Sequence, residues 1–472
     1  MTDYADLTLA EAATQLRQKA ISPVEYLQAL LERIDMYDAH YNAFLRQTPD
    51  IALRQARQAE TEIMAGHWRG PLHGVPYGLK DIIDVAGVPT TAHSKILADN
   101  LARTDAVVTQ RLHAAGGVLV GKLATHEFAM GGPSFDLPWP PARNAWNRDH
   151  FSGGSSSGSG VAVAAGFVPA ALGTDTGGSV RNPASMCGII GLKPTYGRVS
   201  RRGVIPLSYS LDHVGPMTRT VTDNALLLNI IAGYDPADPA SARASVADFT
   251  ADLDKGVKGL KIGVIRRFYT QDMVADPEMT QGIEDAVTVL ERQGAEIHTL
   301  DPGPLAEYAA ITRVILLSEA YAIHERWLQE RPQDYGALMR ERVLVGAFFR
   351  AVDYVQATRQ RAILAQQFAR CMDTVDVAIT ASSMDPACPV EDAERCEYTY
   401  NRQARAPFNL TGSPALAVPT GFASTGLPLS MQIIGKPFDD ATVYRVARAY
   451  EQATPWTTMH PVLANSVRHN SG

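Results

Sequence analysis

From about Gly74 onward the chain alternates short apolar runs with amphipathic or small-residue stretches, and no other feature narrows its fold as far. Residues 75–79 and 117–121 read as strands and 106–115 as a helix; a helix over 158–165 and a strand over 168–172 follow. Strands alternating with helices predict a layered α/β fold, since each element must bury its apolar face against another. Further strands are expected at 261–265, 296–300, 375–380, 415–418 and 429–434, and helices at 277–293 and 441–452. The first 65 residues read as helices. Ser22, Pro23 and Glu25 supply an N-cap, a first-turn proline and a capping-box acid. Tyr26, Leu27, Leu30, Leu31 and Ile34 then repeat at helical spacing. After Ala310 comes a long helical tract rich in charge, with Glu325, Arg326, Arg340, Glu341 and Arg342.

At 472 residues, 46% apolar and 20% charged, the chain can bury a sizeable core without disulfides or metals. Its four cysteines, Cys187, Cys371, Cys388 and Cys396, form no CxxC pair and no disulfide framework. A reducing, cytoplasmic setting is expected. The N-terminal stretch is polar and amphipathic, unlike a signal peptide, and no apolar run reaches the ~18 residues of a membrane span. The net charge of −7, with no Lys/Arg-rich block, argues against a nucleic-acid surface.

The segment SGGSSSGSG at 152–160 has a linker's composition. It runs straight into the small-residue helix VAVAAG, and a second Gly/Ser knot, GTDTGGS, follows at 173–179. Linkers seldom sit between buried elements, whereas glycines let backbone N–H groups approach a substrate closely. A tight turn of Thr176, Gly177, Gly178 and Ser179 can aim several N–H donors at one point, forming an oxyanion hole beside the Ser179 hydroxyl. The helix expected to begin at Val180 would add its N-terminal field. A serine needs a base. Lys80, directly after the strand at 75–79, is the candidate, because burial lowers a lysine's pKa and frees its amine to accept a proton. Asp175, Arg181 and Asp212 are expected to anchor the Gly-rich turns.

In order and spacing, HGVPYGLKD, GGSSSGSG, GTDTGGSVRNPA and GLKPTYGRVSRRGVIPLSYSLDHVGP resemble the amidase signature family, as does FNLTGSPALAVPTGF followed by LPLSMQIIGKP. The resemblance implies a Ser–cis-Ser–Lys triad. Ser179 would be the nucleophile, Ser155 the bridging serine after a cis peptide from Gly154, and Lys80 the base. It also implies one compact α/β/α domain over 1–472 with a mixed central sheet flanked by helices. Within it, 1–65 form N-terminal helices, 74–232 the catalytic core and about 310–369 a helical insertion capping the pocket. Family members include homodimers.

The activity so implied is hydrolysis of a linear carboxamide or related C–N acyl bond in a small molecule, without cofactor or metal. The alternative is the A subunit of a glutamine-dependent tRNA amidotransferase, which hands ammonia to a partner. The sequence departs from the family pattern at Ser152, Ser157, Tyr77 and Gly78; the departures around Tyr77 and Ser157 favour the stand-alone hydrolase, and no nucleic-acid partner is expected. Asn182 lies on the helical turn after the nucleophile, where relatives can place a carboxylate-gripping arginine. Met130, Gly131 and Tyr77, with Phe135, Pro138 and Trp139 near in sequence, are candidates for an apolar substrate wall. Two decoys are set aside. GSSSG at 154–158 has no preceding strand to make a nucleophile elbow, and GGVLVGKL at 116–123 lacks the Ser/Thr of a P-loop and reads as strand.

Overall fold

The computed structural model describes residues 4–463. An eleven-stranded mixed sheet runs through it, in the order β1-β3-β2-β4-β6-β5-β10-β11-β9-β7-β8. The strands are β1 Phe44–Gln47, β2 Pro76–Lys80, β3 Val118–Leu123, β4 Ala170–Asp175, β5 Ile190–Lys193 and β6 His213–Thr218. They continue with β7 Lys261–Val264, β8 Glu296–Thr299, β9 Val377–Ala381, β10 Ala415–Phe422 and β11 Pro428–Ile434. Helices flank this sheet, as the α/β reading predicts. β2 pairs in parallel with both β3 and β4, and β7 with both β8 and β9, while the middle of the sheet is antiparallel. Every residue of β2, β3 and β4 is buried, the pattern of strands covered on both faces.

Local chemistry sets the boundaries. Ser22 caps the helix Pro23–Tyr41, accepting from the backbone N–H groups of Val24 and Glu25, while Glu25 returns the bond to the Ser22 N–H. Asn42, in the left-handed region, ends it. The reading of 1–65 as helices passes over β1, four residues that pair antiparallel with β3. The sequence reading likewise passes over β5 and β6, because GLKP and DHVGP offer too few apolar residues to announce a strand. The charged tract resolves into the helices Leu305–Glu330, Ala337–Leu344 and Ala351–Met372. Among the described residues no helix is long and apolar enough to cross a membrane.

The site follows from this topology. Because β2 and β4 are parallel neighbours, their C-terminal residues Lys80 and Asp175 emerge on the same edge, where open α/β sheets place their ligands. The helix Ser157–Ala164 packs on β2, β3 and β4 and delivers the Ser-rich turn to that edge.

Candidate active site

Lys80 is wholly buried, and its Nζ lies 2.7 Å from Ser155 Oγ and 2.8 Å from Thr174 Oγ1. Burial pushes its pKa down to about 7, against the opposing pull of Asp175 and Asp212. An amine at that value is substantially neutral near neutral pH and able to accept a proton.

The two Gly/Ser turns are stitched together at several points. The Ser156 N–H donates to the Ser179 carbonyl at 3.1 Å, and the Gly154 N–H to Asn182 Oδ1 at 2.9 Å. Ser156 Oγ donates to the Thr174 carbonyl and accepts from the Thr174 N–H, both at 3.1 Å. Ser155 is thereby held to the segment that carries Ser179. The Gly154–Ser155 peptide is cis. Gly154 packs against the His126 ring, where an added Cβ would sit 2.0 Å from Cε1.

Asp175 organises the second turn. Its carboxylate accepts from the N–H groups of Gly178, Val180 and Arg181, takes two bonds from the Arg181 guanidinium, and accepts one from Asn409. Burial alone would raise its pKa, but the Arg181 charge and these bonds outweigh it and hold the carboxyl well below the usual range. Two expectations change as a result. The Gly178 N–H is committed to Asp175 at 2.8 Å and leaves the oxyanion set, whereas the N–H groups of Thr176, Gly177 and Ser179 have no acceptor among the described residues. The short helix Arg181–Cys187 also spends its first N–H groups on Asp175 and offers no field to a substrate.

Asp212 anchors the turn from the other side, accepting from Thr176 Oγ1 at 2.6 Å and from the N–H groups of Leu207 and Ser208. The histidines are structural neighbours. His213 sits between the Leu211 carbonyl at Nδ1 and Lys193 at Nε2, and burial depresses its pKa strongly. His73 packs under Gly116, before the first residues of β2 and β3 and so opposite the edge that carries Lys80.

A cavity of about 880 Å³ opens beside Thr174 and Thr176. Ile82, Ala129, Leu207 and Tyr209 give it an apolar wall, Arg201, Arg202, Asp212, Asp238 and Glu319 its charged groups, and Glu319 and Tyr354 come from the helical tract. None of the four residues expected to bind substrate lines it. Tyr77 stands three positions before Lys80 on β2, so strand alternation turns it to the opposite face, where it packs in the core with Gly117 and Leu72. Asn182 is occupied by Gly154 and by Ser383. Met130 is buried in the main core, and the Gly131 carbonyl accepts from Arg342. Phe135 is exposed. Sequence reasoning missed Thr174, although it lies within GTDTGGS, and Asn409, although it lies within FNLTGSPALAVPTGF; Arg405, just before that segment, carries no local signal.

A family model described as Amidase matches residues 25–444. The A subunit of glutamyl-tRNA(Gln) amidotransferase from Chloroflexus aggregans is 40% identical, covering 99% of this chain and 100% of its own. The Thermotoga maritima protein of that name superposes with a TM-score of 0.83 at 33% identity, covering 98% and 99% of the two chains. A peptide amidase from Stenotrophomonas maltophilia gives 0.87 at 30% identity over 98% and 99%. The expectation that nucleic acid plays no part is corrected by these relatives, which are by name subunits of a glutamyl-tRNA enzyme. Net charge describes this chain's own surface alone.

Proposed function

This chain belongs to the amidase (amidase signature) family, and on that premise we propose that it releases ammonia from a carboxamide, glutamine foremost, through an acyl-enzyme on Ser179. The observation that carries the reading is the buried Lys80 amine, 2.7 Å from Ser155 Oγ with its pKa near 7. Neutral Lys80 takes the Ser155 proton as Ser155 takes that of Ser179, whose Oγ attacks the carbonyl carbon. The carbonyl π pair moves onto oxygen, facing the N–H groups of Thr176, Gly177 and Ser179. Collapse breaks the C–N bond, the relay runs backward to protonate the leaving nitrogen, and water then releases the acid by the same route.

The curated relatives favour glutamine as the donor and an amidotransferase as the setting, with partner subunits and glutamyl-tRNA(Gln) beyond this chain. Arg201 and Glu319 in the cavity suit the carboxylate and ammonium of a free amino acid. The helices over 310–369 act as a cap, and the chain works in the cytoplasm. A second reading, a stand-alone amidase, is supported by the likeness to the peptide amidase and by the apolar share of the cavity wall. Ammonia release from glutamine should be measured on the purified chain, alone and with the subunits that its relatives' name implies. Glutaminase activity that the partners raise at least tenfold supports the first reading. Partner-independent cleavage of peptide or aryl amides, with glutamine untouched, would replace it with the second.

A further inference from the structure

Arg405 is a charged side chain in an unusual position. It is 1% exposed, yet forms no ion pair among the described residues. One nitrogen, Nη1, donates to the Ser382 carbonyl at 2.9 Å and to Ser383 Oγ at 2.7 Å; Nη2 reaches the Tyr400 carbonyl at 3.5 Å. Its Nε finds no acceptor. That Nε edge lies flat against Gly178, where an added Cβ would meet Nε at 2.3 Å and Cδ at 2.6 Å. The two carboxylates near the turn are engaged elsewhere. Asp175 accepts from Nε and Nη2 of Arg181, and Asp212 is held by Thr176 and two backbone N–H groups.

A buried cation without a partner is costly, and a fold that needed only packing there would be as well served by an apolar chain. The place where this charge lies is informative. The turn 176–179 presents the uncommitted N–H groups, and beside the guanidinium the described residues offer no carboxylate that is not already engaged, so an oxyanion forming there would meet an unpaired cation. Fixed positive charge in a dry site, aimed where negative charge develops, acts on the transition state far more than on the neutral ground state.

We propose that Arg405 is a positioning residue of the acyl-transfer step, its unpaired guanidinium backing the turn 176–179 and supplying the positive field against which the oxyanion forms. This rests on the assignment of Ser179 as nucleophile. Burial also lowers the Arg405 pKa to about 9, in keeping with a cation whose partner is not permanent.

The test is the rate of labelling by a fluorophosphonate, which needs no knowledge of the substrate. Ser179 Oγ attacks phosphorus, the P–F bond breaks, fluoride leaves, the Ser179 proton passes to Ser155 and on to Lys80, and the phosphoryl oxygen gains charge at the turn. The full chain is compared with Arg405→Gln and Arg405→Met, which remove the charge, and Arg405→Lys, which keeps it. The maximal labelling rate of a folded charge-free variant is expected to fall about tenfold to a hundredfold. The probe's reversible binding should stay within twofold, with Arg405→Lys intermediate. A charge-free variant labelled within twofold of wild type, or Arg405→Lys as slow as Arg405→Gln, would overturn the proposal. If neither charge-free chain folds, the guanidinium is only a structural tie and the proposal also falls. Absence of label on Ser179 in the wild type, read by peptide mass, would instead remove the nucleophile assignment and this role with it.

Discussion

A lysine amine that loses its proton near pH 7 gives the reaction a defined acid limb. The burial that lowers the Lys80 pKa penalises the ammonium form, so the base is present above about pH 7 and lost below it. The rate should therefore rise through about pH 7 and fall roughly tenfold per unit below it, as a pH–rate profile on any accepted amide would record. Gly178 tests the second turn. Its φ of +129° and its contact with Arg405 leave no room for a Cβ, so Gly178→Ala should slow fluorophosphonate labelling of Ser179 by about tenfold or more. At this scale the sequence was informative about chemistry and poor about direction. Lys80 and Ser179 can be singled out because a glycine-rich turn and a strand-end lysine are local patterns, whereas Ser155 enters only through the family resemblance. The direction of Tyr77 and the occupation of Asn182 depend on which face of β2 is inward and on where the Gly154 N–H lies, and spacing encodes neither.

Among the elements, the short helix Arg181–Cys187 does more than follow Ser179. Its first residues bind it to Asp175, and Asn182 ties it to Gly154, so it holds both serine turns in register. Asp175→Asn would leave the Arg181 guanidinium buried without its counter-charge, at an expected cost of about 3–5 kcal/mol in urea unfolding. Asn182→Ala strands a buried N–H, a smaller loss of about 1–3 kcal/mol. Its larger effect should fall on kcat rather than KM, because Ser155 loses its anchor while the cavity is untouched. Strands β2, β3 and β4 were legible because they are short, apolar and separated by helices. Strands β5 and β6 were not, because Gly, Pro and His in them are tolerated only through antiparallel neighbours distant in sequence.

For the whole molecule, the site draws on three distant stretches of chain: β2 with the serine turns, the helical tract with Glu319 and Tyr354, and the C-terminal third with Arg405 and Asn409. The motif order points to the family, but no single window contains the cavity, and Tyr77, Met130, Gly131 and Asn182 do not line it. The central claim is that Ser179 attacks and Lys80 draws off its proton. It is tested most directly by ammonia release at pH 8 from glutamine and a panel of amides, with any partner subunits present, comparing wild type with Ser179→Ala and Lys80→Ala. The account predicts release by the wild type and losses of about a thousandfold or more in both variants. Release by Ser179→Ala at the wild-type rate would contradict it.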